Sequence, residues 1–572
     1  MKKLLLGDFA AARGAYEAGV KVATAYPGTP STEITEELAR YDEVYSEWSP
    51  NEKVALEVGF GSSLKGARTI VSMKHVGLNV AADPLYTAAY TGVNAGLVVA
   101  VADDPAMFSS QNEQDTRLIA RAANVPVIEP SDSAEAKDFM KLAFSLSEKY
   151  DTPVIFRITT RVAHSQGLVE TEDREEVPLK DYVKDVPKYV MMPGNAKKRH
   201  IVVEERRNKL CEDSNDFSIN RIETGDKELG IICSGGVYQY VKEALPTASV
   251  LKLGMVYPLP YRLIEKFVSS VDRCIVIEEL EPHIETLIKA KGIKVEGKNL
   301  FSVQGELSAN IIREKVLGIK ADVTRAEVPA RPPVLCAGCP HRGVFYTLKQ
   351  LKVNVMGDIG CYTLGAVPPL NAIDSVLCMG ASVGMAIGFD KADDKAYKNT
   401  VAVIGDSTFI HSGITGLIDA VYNRANVTVI IVDNSTTGMT GHQNHPATGK
   451  NIKNEPTSRL SLENVCLSVG ADRVSVVDPY DLDLFKETVK SCLSEKGVKV
   501  IIARRPCALL TKRLYNGCEI TAACRNCKAC LKLGCPAIIN GENGVKIDLS
   551  LCTECGLCQK VCRFGAIKTR EE

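Results

Sequence analysis

Two short apolar runs decide the fold, Thr400-Val-Ala-Val-Ile-Gly-Asp-Ser407 and Val427-Thr-Val-Ile-Ile-Val-Asp-Asn434. Both runs are rich in β-branched residues and almost entirely apolar, which is typical of parallel strands that are buried on both faces. In open α/β sheets, ligands bind at the carboxyl ends of such strands. The small and polar residues that end each run therefore lie where a ligand is expected.

The residues at these two strand ends are suited to a diphosphate held by Mg²⁺. Mg²⁺ prefers a few hard oxygen ligands together with phosphate oxygens. Asp406 offers a carboxylate, Asn434 an amide oxygen and Thr436 a backbone carbonyl, while Gly405 and Ser407 leave room for the ligand. The pattern resembles the thiamine diphosphate motif, Gly-Asp-Gly followed about 30 residues later by Asn, with Ser407 in place of the last glycine. The alternative is an ordinary strand that ends in a capped loop.

Similar apolar runs recur along the chain and divide it. They predict α/β units in residues 1–180, 181–325 and 326–512, and a tail of different composition in residues 513–572. The second division begins with a charged linker and an exposed helix, up to about residue 225. The Pro-rich stretch Val328–Pro333 is a boundary. The predicted strands are Leu97–Val101, Pro153–Phe156, Gly230–Ser234, Cys274–Glu278, Thr400–Ile404, Val427–Val432 and Val498–Ile502.

Composition excludes several classes of protein. The 572 residues are 45% hydrophobic and 24% charged, so wholesale disorder and a collagen-like chain are excluded. The net charge of -1 argues against a nucleic-acid or membrane-surface role, which usually leaves a basic excess. The sequence has no run of about 18 apolar residues, so no transmembrane helix is expected. Asp8 and Arg13 interrupt the apolar start before it could form a signal peptide, so a cytoplasmic location is expected.

The tail is predicted to be an electron-transfer module. Eight of the 19 cysteines fall between Cys524 and Cys562, in two runs with the spacing of a bacterial two-cluster ferredoxin. In that pattern the distant fourth cysteine of each run binds the other cluster. The first run has four residues before its last cysteine where three are usual, and Arg563 stands where a proline is usual. The alternative is two zinc sites. The predicted [4Fe-4S] ligand sets are Cys524, Cys527, Cys530 and Cys562, and Cys535, Cys552, Cys555 and Cys558.

The thiamine motif and the ferredoxin tail together resemble the 2-oxoacid:ferredoxin oxidoreductase family. Within it, the chain is most similar to the large (alpha) subunits of the indolepyruvate branch, over almost its whole length. The resemblance implies four domains in order: a pyrimidine-binding unit, a transketolase C-terminal-like unit, a diphosphate-binding unit and a ferredoxin domain. Besides the thiamine motif and the tail, it is carried by Tyr26-Pro-Gly-Thr-Pro30, Ser109-Ser-Gln-Asn-Glu-Gln-Asp115, Cys336-Ala-Gly-Cys-Pro-His-Arg342 and Asn434-Ser-Thr-Thr-Gly-Met-Thr-Gly-His-Gln443.

The family also implies catalytic residues in the first domain. A glutamate hydrogen-bonds the aminopyrimidine of thiamine and drives its activation; Glu52 fits, 25 residues before Gly77, and Glu57 is the competing choice. Thr29 and Arg117 match positions that meet the substrate carboxylate in relatives. The alternative for each is a surface or ion-paired side chain.

A third [4Fe-4S] cluster beside the thiamine ring is a further implication of the family. Its predicted ligands are Cys336, Cys339, Cys361 and Cys507, with zinc or plain buried cysteines as the alternative. The remaining seven cysteines, including Cys518, are predicted to pack in cores. Four histidines are expected near the implied site, His75, His341, His442 and His445.

The implied activity is oxidative decarboxylation of aryl pyruvates such as indolepyruvate and phenylpyruvate. Coenzyme A takes the acyl group and an external ferredoxin takes the electrons. A family domain that is missing from this chain implies a smaller beta subunit and an (alpha-beta)2 heteromer. Met439 suits an aromatic substrate. A pyruvate or 2-oxoglutarate oxidoreductase, and a non-enzymatic electron-transfer scaffold, are the alternatives.

Overall fold

The computed structural model describes residues 1–321, 326–329, 331–510, 516–542 and 544–570. The chain forms two compact units, Met1–Ala326 and Glu327–Glu572. The strands of the first unit are β1 (Lys2–Leu6), β2 (Val22–Ala25), β3 (Tyr45–Trp48), β4 (Thr69–Lys74), β5 (Leu97–Asp103), β6 (Val127–Ile128), β7 (Val154–Thr159), β8 (Gln166–Glu170), β9 (Arg221–Glu223), β10 (Asp226–Ser234), β11 (Ala248–Leu253), β12 (Met255–Tyr257) and β13 (Arg273–Ile277).

The helices of the first unit connect these strands as crossovers and also form the charged segment after β8. They are α1 (Gly7–Glu17), α2 (Thr32–Leu38), α3 (Glu52–Lys65), α4 (His75–Val80), α5 (Ala82–Thr91), α6 (Thr116–Ala123), α7 (Ser133–Tyr150), α8 (Thr160–His164), α9 (Val186–Tyr189), α10 (Pro193–Asp213), α11 (Val237–Ala244), α12 (Tyr261–Val268), α13 (His283–Ala290) and α14 (Ala309–Leu317).

A seven-stranded sheet, in the order β12-β6-β7-β5-β4-β2-β3, is the centre of the first unit. Its strands are parallel except β12, which runs antiparallel to β6. Alternate residues of β5 enter two apolar clusters, Val98 and Ala100 on one face and Val99 and Val101 on the other. The sheet is therefore covered on both faces, which explains the continuous apolar run in the sequence.

The second sheet of this unit has the order β13-β10-β11-β9, and it packs against the first through Ile232 and Leu251. Strand β12 lies between β11 and β13 in the sequence, yet it pairs with β6 in the first sheet. Residues on either side of the predicted boundary at 180 thus form one compact unit, and the division into four domains stays a prediction. The predicted exposed helix is confirmed as α10, of which only Val203, Arg206 and Leu210 are buried.

The second unit contains a five-stranded, wholly parallel sheet in the order β14-β15-β16-β18-β17. Its strands are β14 (Asn354–Met356), β15 (Thr400–Gly405), β16 (Val427–Asp433), β17 (Arg473–Val477) and β18 (Val498–Arg504). Its helices are α15 (His341–Leu351), α16 (Ala381–Ala392), α17 (Asp406–Thr408), α18 (Ile414–Tyr422), α19 (Leu462–Val469) and α20 (Leu482–Ser494), with one π-helical turn, Phe409–Gly413, between α17 and α18.

In the part of the tail that the structure describes there are two short antiparallel strand pairs and one α-helix. They are β19 (Cys518–Ile520), β20 (Ile538–Gly541), β21 (Gly544–Ile547), α21 (Leu557–Val561) and β22 (Ile567–Thr569), with β19 paired to β22 and β20 to β21. All seven apolar runs predicted as strands are confirmed, and the fold class is α/β with parallel sheets. None of the described helices is long and apolar enough to cross a membrane.

Candidate active site and metal centres

Asp406 and Asn434 meet at the carboxyl edge of the second unit's sheet. Strands β15 and β16 are parallel neighbours, with Gly405 in register with Val432. Asp406 begins α17, and the next loop closes onto it, because the Ser435 N–H donates to Asp406 Oδ2 at 2.9 Å. The two predicted ligands are therefore held by adjoining loops, as the sequence predicts.

The same edge presents buried oxygen atoms that suit Mg²⁺ and a diphosphate. Asp406, Asn434 and Thr436 are all buried. The Thr437 hydroxyl donates to Ser407 Oγ at 3.0 Å, so the serine that replaces the motif's glycine ties the two loops together. Gly405 lies against the ring of Tyr362, where a Cβ would be 2.6 Å from a ring carbon. A carboxylate, an amide and a helix that begins at Asp406 fit the predicted group.

His445 contacts Asp406, and Arg504 pairs with Asp433, at this edge. Burial raises the pKa of Asp406, but the contact with His445, whose Nε2 lies 3.3 Å from Asp406 Oδ2, outweighs it and lowers the net pKa. His445 Nδ1 accepts from the Ala447 N–H at 3.3 Å, which places the ring proton on Nε2, toward the carboxylate. Burial and then Asp406 raise the pKa of Asp433, which pairs with Arg504 at 2.6 Å.

The four cysteines predicted to hold a third cluster lie close enough to affect one another. Burial and then the thiols of Cys507 and Cys336 raise the pKa of Cys361 to about 11. Burial raises the pKa of Cys339 to about 12, and Cys336 and Cys361 add to that rise. Cys336 and Cys507 thus act on Cys361, and Cys336 and Cys361 act on Cys339, so thiols from three separate segments lie near one another. This proximity is compatible with one [4Fe-4S] cluster, which stays a prediction.

This cysteine group adjoins the loop that carries Asn434. The Cys507 N–H donates to the Asn434 carbonyl at 2.9 Å. A Cβ on Gly438 would lie 3.5 Å from Cys361 Sγ. The candidate cluster and the candidate diphosphate site are thus parts of one site within the second unit.

The second ligand set of the tail surrounds a single cavity. Its walls include Cys535, Cys552, Cys555 and Cys558, the four cysteines that the spacing assigns to one cluster. Cys518 also lines this cavity, in contact with Cys552 and Cys558. The sequence predicts only core packing for Cys518. It is indeed buried, but the spacing could not reveal its place in the wall, because it precedes both runs.

Gly338 joins the two cysteine groups. It lies between Cys336 and Cys339 and lines the cavity of the second set. The Tyr480 hydroxyl donates to the Gly338 carbonyl at 2.7 Å and also contacts Cys555. The candidate cluster beside Asn434 and this tail set therefore share a wall.

In the first ligand set of the tail, Cys524, Cys527 and Cys530 lie near one another. Burial raises the pKa of Cys530, and its neighbours Cys524 and Cys527 add to the rise. Cys562 Sγ accepts from the Ala566 N–H at 3.3 Å and Cys524 Sγ from the Asn526 N–H at 3.4 Å. Hydrogen bonds of this kind to cysteine sulfur tune iron–sulfur clusters.

In the first unit, Glu52 and Glu57 have different surroundings. Glu52 follows the N-cap Asn51 at the start of α3 and is buried, whereas Glu57 is exposed and pairs with Lys53. Gly77 lies directly against the Glu52 carboxyl group. The geometry favours Glu52 over Glu57, and its catalytic role stays a prediction.

Replacing Gly77 with alanine tests this contact. The added Cβ would lie 2.5 Å from Glu52 Oε1, so the carboxyl group must move. We expect Gly77→Ala to lower turnover roughly 100-fold, because small displacements of a catalytic group are costly. The matched control is Gly61→Ala on α3, where a Cβ meets no described atom within 4 Å. Equal turnover of both variants in steady-state assays would contradict the role of Glu52.

The guanidinium group of Arg117 is buried and bound by partners within the protein. It is 1% exposed and pairs with Asp115 at 2.6 Å and with Glu278 at 2.8 Å. It also donates to the carbonyls of Glu279 and Glu281. The prediction that Arg117 binds a substrate carboxylate therefore receives no support from this geometry, because a substrate would have to displace these partners.

Thr29 lies in the loop between β2 and α2, half-buried. This loop contacts the end of β4, since a Cβ on Gly28 would lie 3.0 Å from Lys74 Cβ. Sequence reasoning passed over Lys74. The signal that could have revealed it is a lysine that ends an apolar strand, in Thr69-Ile-Val-Ser-Met-Lys74.

Comparison with known families matches three parts of the chain. Residues 13–217 match "Pyruvate flavodoxin/ferredoxin oxidoreductase, thiamine diP-bdg". Residues 358–503 match "Thiamine pyrophosphate enzyme, C-terminal TPP binding domain", and residues 545–568 match "4Fe-4S binding domain". The last match covers the second cysteine run and not the first.

Curated relatives match nearly the whole chain. The protein "Indolepyruvate oxidoreductase subunit IorA" of Archaeoglobus fulgidus is 42% identical, over 99% of this chain and 97% of its own length. Its namesake in Pyrococcus abyssi is 43% identical with the same coverage. A "2-oxoglutarate synthase subunit KorB" of Archaeoglobus fulgidus is 26% identical over 32% of this chain and 71% of its own. A solved 2-oxoglutarate:ferredoxin oxidoreductase from Magnetococcus marinus has a TM-score of 0.48 at 16% identity, over 55% of this chain and 65% of its own.

Proposed function

The chain belongs to the indolepyruvate oxidoreductase subunit IorA family of 2-oxoacid:ferredoxin oxidoreductases, and on that premise we propose that its substrates are aryl pyruvates. The products are the arylacetyl-coenzyme A thioester and CO2, and an external ferredoxin takes the electrons. The enzyme class follows from the family; the substrate, coenzyme A and the products are the proposal.

One observation supports the proposal: the residues predicted to hold a diphosphate and the cysteines predicted to hold a cluster adjoin within the second unit. The link is the Cys507 N–H on the Asn434 carbonyl. A decarboxylase that is not an oxidoreductase would have no use for thiols at this position. A plain electron carrier would have no use for the buried Asp406 and Asn434.

Thiamine diphosphate, when bound, supplies the carbanion that attacks the 2-oxo carbon and stores the electrons released with CO2. The residues of this chain would position it. Asp406, Asn434 and the Thr436 carbonyl would hold Mg²⁺, and Ser407 fixes their loops. Glu52 would hydrogen-bond the aminopyrimidine. The cysteine groups would hold one cluster beside the thiamine site and two in the tail.

A smaller partner subunit belongs to the proposal. The curated relatives are named as subunits, and we propose two copies of each chain in the assembly. Met439, half exposed on the loop after Asn434, would favour an aryl group over a small polar one. The partial matches to 2-oxoglutarate synthase subunits make 2-oxoglutarate the second substrate to test.

The decisive experiment is anaerobic co-expression with the small subunit followed by a substrate panel. Ferredoxin reduction is measured with indolepyruvate, phenylpyruvate, pyruvate and 2-oxoglutarate, each with and without coenzyme A. We expect aryl pyruvates to be preferred by at least roughly 100-fold in kcat/KM and to require coenzyme A for thioester formation. Preference for 2-oxoglutarate or pyruvate would overturn the substrate; no reduction with any of them would overturn the activity.

A further inference from the structure

Lys74 is a buried cation that lacks an acidic partner in the described part of the chain. It ends β4 and is 7% exposed. Its Nζ donates to the Ser109 carbonyl at 2.5 Å, and among the described residues no carboxylate oxygen lies within 4.0 Å of it. Other buried lysines of the first unit are paired, Lys137 with Asp138 and Lys252 with Glu135. Lys74 differs from both in having no such pair among the residues that the structure describes.

The carboxylate with the largest electrostatic effect on Lys74, that of Asp104, does not offset the cost of burying it. Burial lowers the pKa of Lys74 to about 8, and Asp104 opposes that shift only in part. The Asp104 carboxylate accepts from the Ser109 N–H and from the hydroxyls of Ser110 and Thr160. Burying an unpaired charge is costly, so proteins retain one mainly where it has a function.

Lys74 also lies where an α/β sheet binds ligands. Strand β4 stands between β2 and β5, and Lys74 is at its carboxyl end. The Gly28 backbone contacts its Cβ, which brings the Thr29 loop beside it. Three residues further on, Gly77 contacts Glu52. The end of β4 thus contacts the loop that carries Thr29, and the helix that follows it contacts Glu52, the two residues that the family places at the reacting centre.

We infer that Lys74 is an anion site that binds the carboxylate of the 2-oxoacid, the role that the family resemblance would give to Arg117. The inference rests on the proposed function and refines it. The proposed ligand is the substrate's carboxylate, and the cofactor's diphosphate is assigned to the site predicted at Asp406 and Asn434. Arg117 is already neutralised by Asp115 and Glu278, whereas Lys74 remains available to a ligand at this edge.

The test compares Lys74→Met, Lys74→Arg and the exposed control Lys65→Met in the co-expressed complex. We expect Lys74→Met to raise KM for indolepyruvate and lower kcat/KM by roughly 100-fold, as expected when one partner of a buried charge pair is removed. KM for coenzyme A, thiamine content and iron content should stay unchanged. Lys74→Arg should recover part of the loss, and Lys65→Met should match wild type.

Two further readouts separate binding from a structural role. An arylpropionate should inhibit the wild type more strongly than the matching arylpropionamide, and Lys74→Met should lose that preference. In the wild type kcat/KM should fall above about pH 8, where Lys74 loses its proton, and Lys74→Arg should move that fall to higher pH. Asp104 and His75 are the titratable neighbours; burial lowers the pKa of His75, so it stays neutral there.

The outcomes distinguish the two proposals. If the wild type does not oxidise aryl pyruvates, the proposed function fails whatever the variants do. If it does, an unchanged KM and an unchanged inhibitor preference in Lys74→Met would overturn the inference. Because the pKa of Lys74 is lowered in the folded protein, its ammonium opposes folding at neutral pH. The melting temperature of Lys74→Met should therefore equal or exceed that of wild type, and a marked drop would point to a structural role instead.

Discussion

Asp406→Ala is expected to abolish 2-oxoacid oxidation, with a loss on the order of 1,000-fold or more, because it removes the carboxylate that we propose as a Mg²⁺ ligand from a preorganised site. Asp406 is buried, begins α17 and ties the Asn434 loop through Ser435. The neighbouring carboxylate, Asp433, is paired with Arg504 and so is not free to replace it. We expect the purified variant to contain little thiamine diphosphate or Mg²⁺ and its full complement of iron.

The control for this variant is Asp419→Ala, an exposed acid on α18 of the same unit. It should keep wild-type activity and cofactor content. Asp406→Asn retains the shape and loses the charge, so it should bind Mg²⁺ more weakly and recover partly at high Mg²⁺. Wild-type thiamine content in Asp406→Ala would refute the diphosphate site and leave the alternative of a capped loop.

Seven of the strands were predictable from sequence because the signal for a long buried parallel strand is local. The residues of the run that forms β15 predict a strand by themselves, without knowledge of the strands that pair with it. The ferredoxin spacing likewise lies within one stretch of chain. The carboxyl-edge rule then located Asp406 and Asn434 without a structure. Features of this kind depend on neighbours in the chain.

The features that sequence could not supply depend on distant partners. Arg117 looks available until Glu278, which is 161 residues away, is seen to pair with it. The spacing favours Glu52 but leaves Glu57 as a competing choice, and the structure adds that Glu52 is buried against Gly77 while Glu57 is exposed. Strand β12 was missed because three residues carry no period, and it joins a sheet made by an earlier part of the chain.

Cys361→Ala is expected to abolish ferredoxin reduction while the variant still binds thiamine diphosphate. Cys361 adjoins the Asn434 loop through Gly438. Its loss leaves three thiols, one too few for a cluster held by four cysteines. We expect iron to fall from roughly 12 to roughly 8 atoms per chain, and one of three EPR signals to disappear. Release of CO2 from the substrate should persist, because that step needs only the thiamine site.

The matched control is Cys378→Ala, an exposed cysteine of the same unit, which should leave iron and activity unchanged. The comparison also decides between iron and zinc at the group that contains Cys361. Zinc in the wild type that disappears in Cys361→Ala, with all iron retained, would refute the third cluster. Loss of iron without loss of ferredoxin reduction would instead mean that electrons reach the tail by another route. Gly338 and Tyr480 connect the group that contains Cys361 to the tail set that contains Cys555. An alternative route would have to avoid this connection, so the same variant tests both the cluster and the electron path.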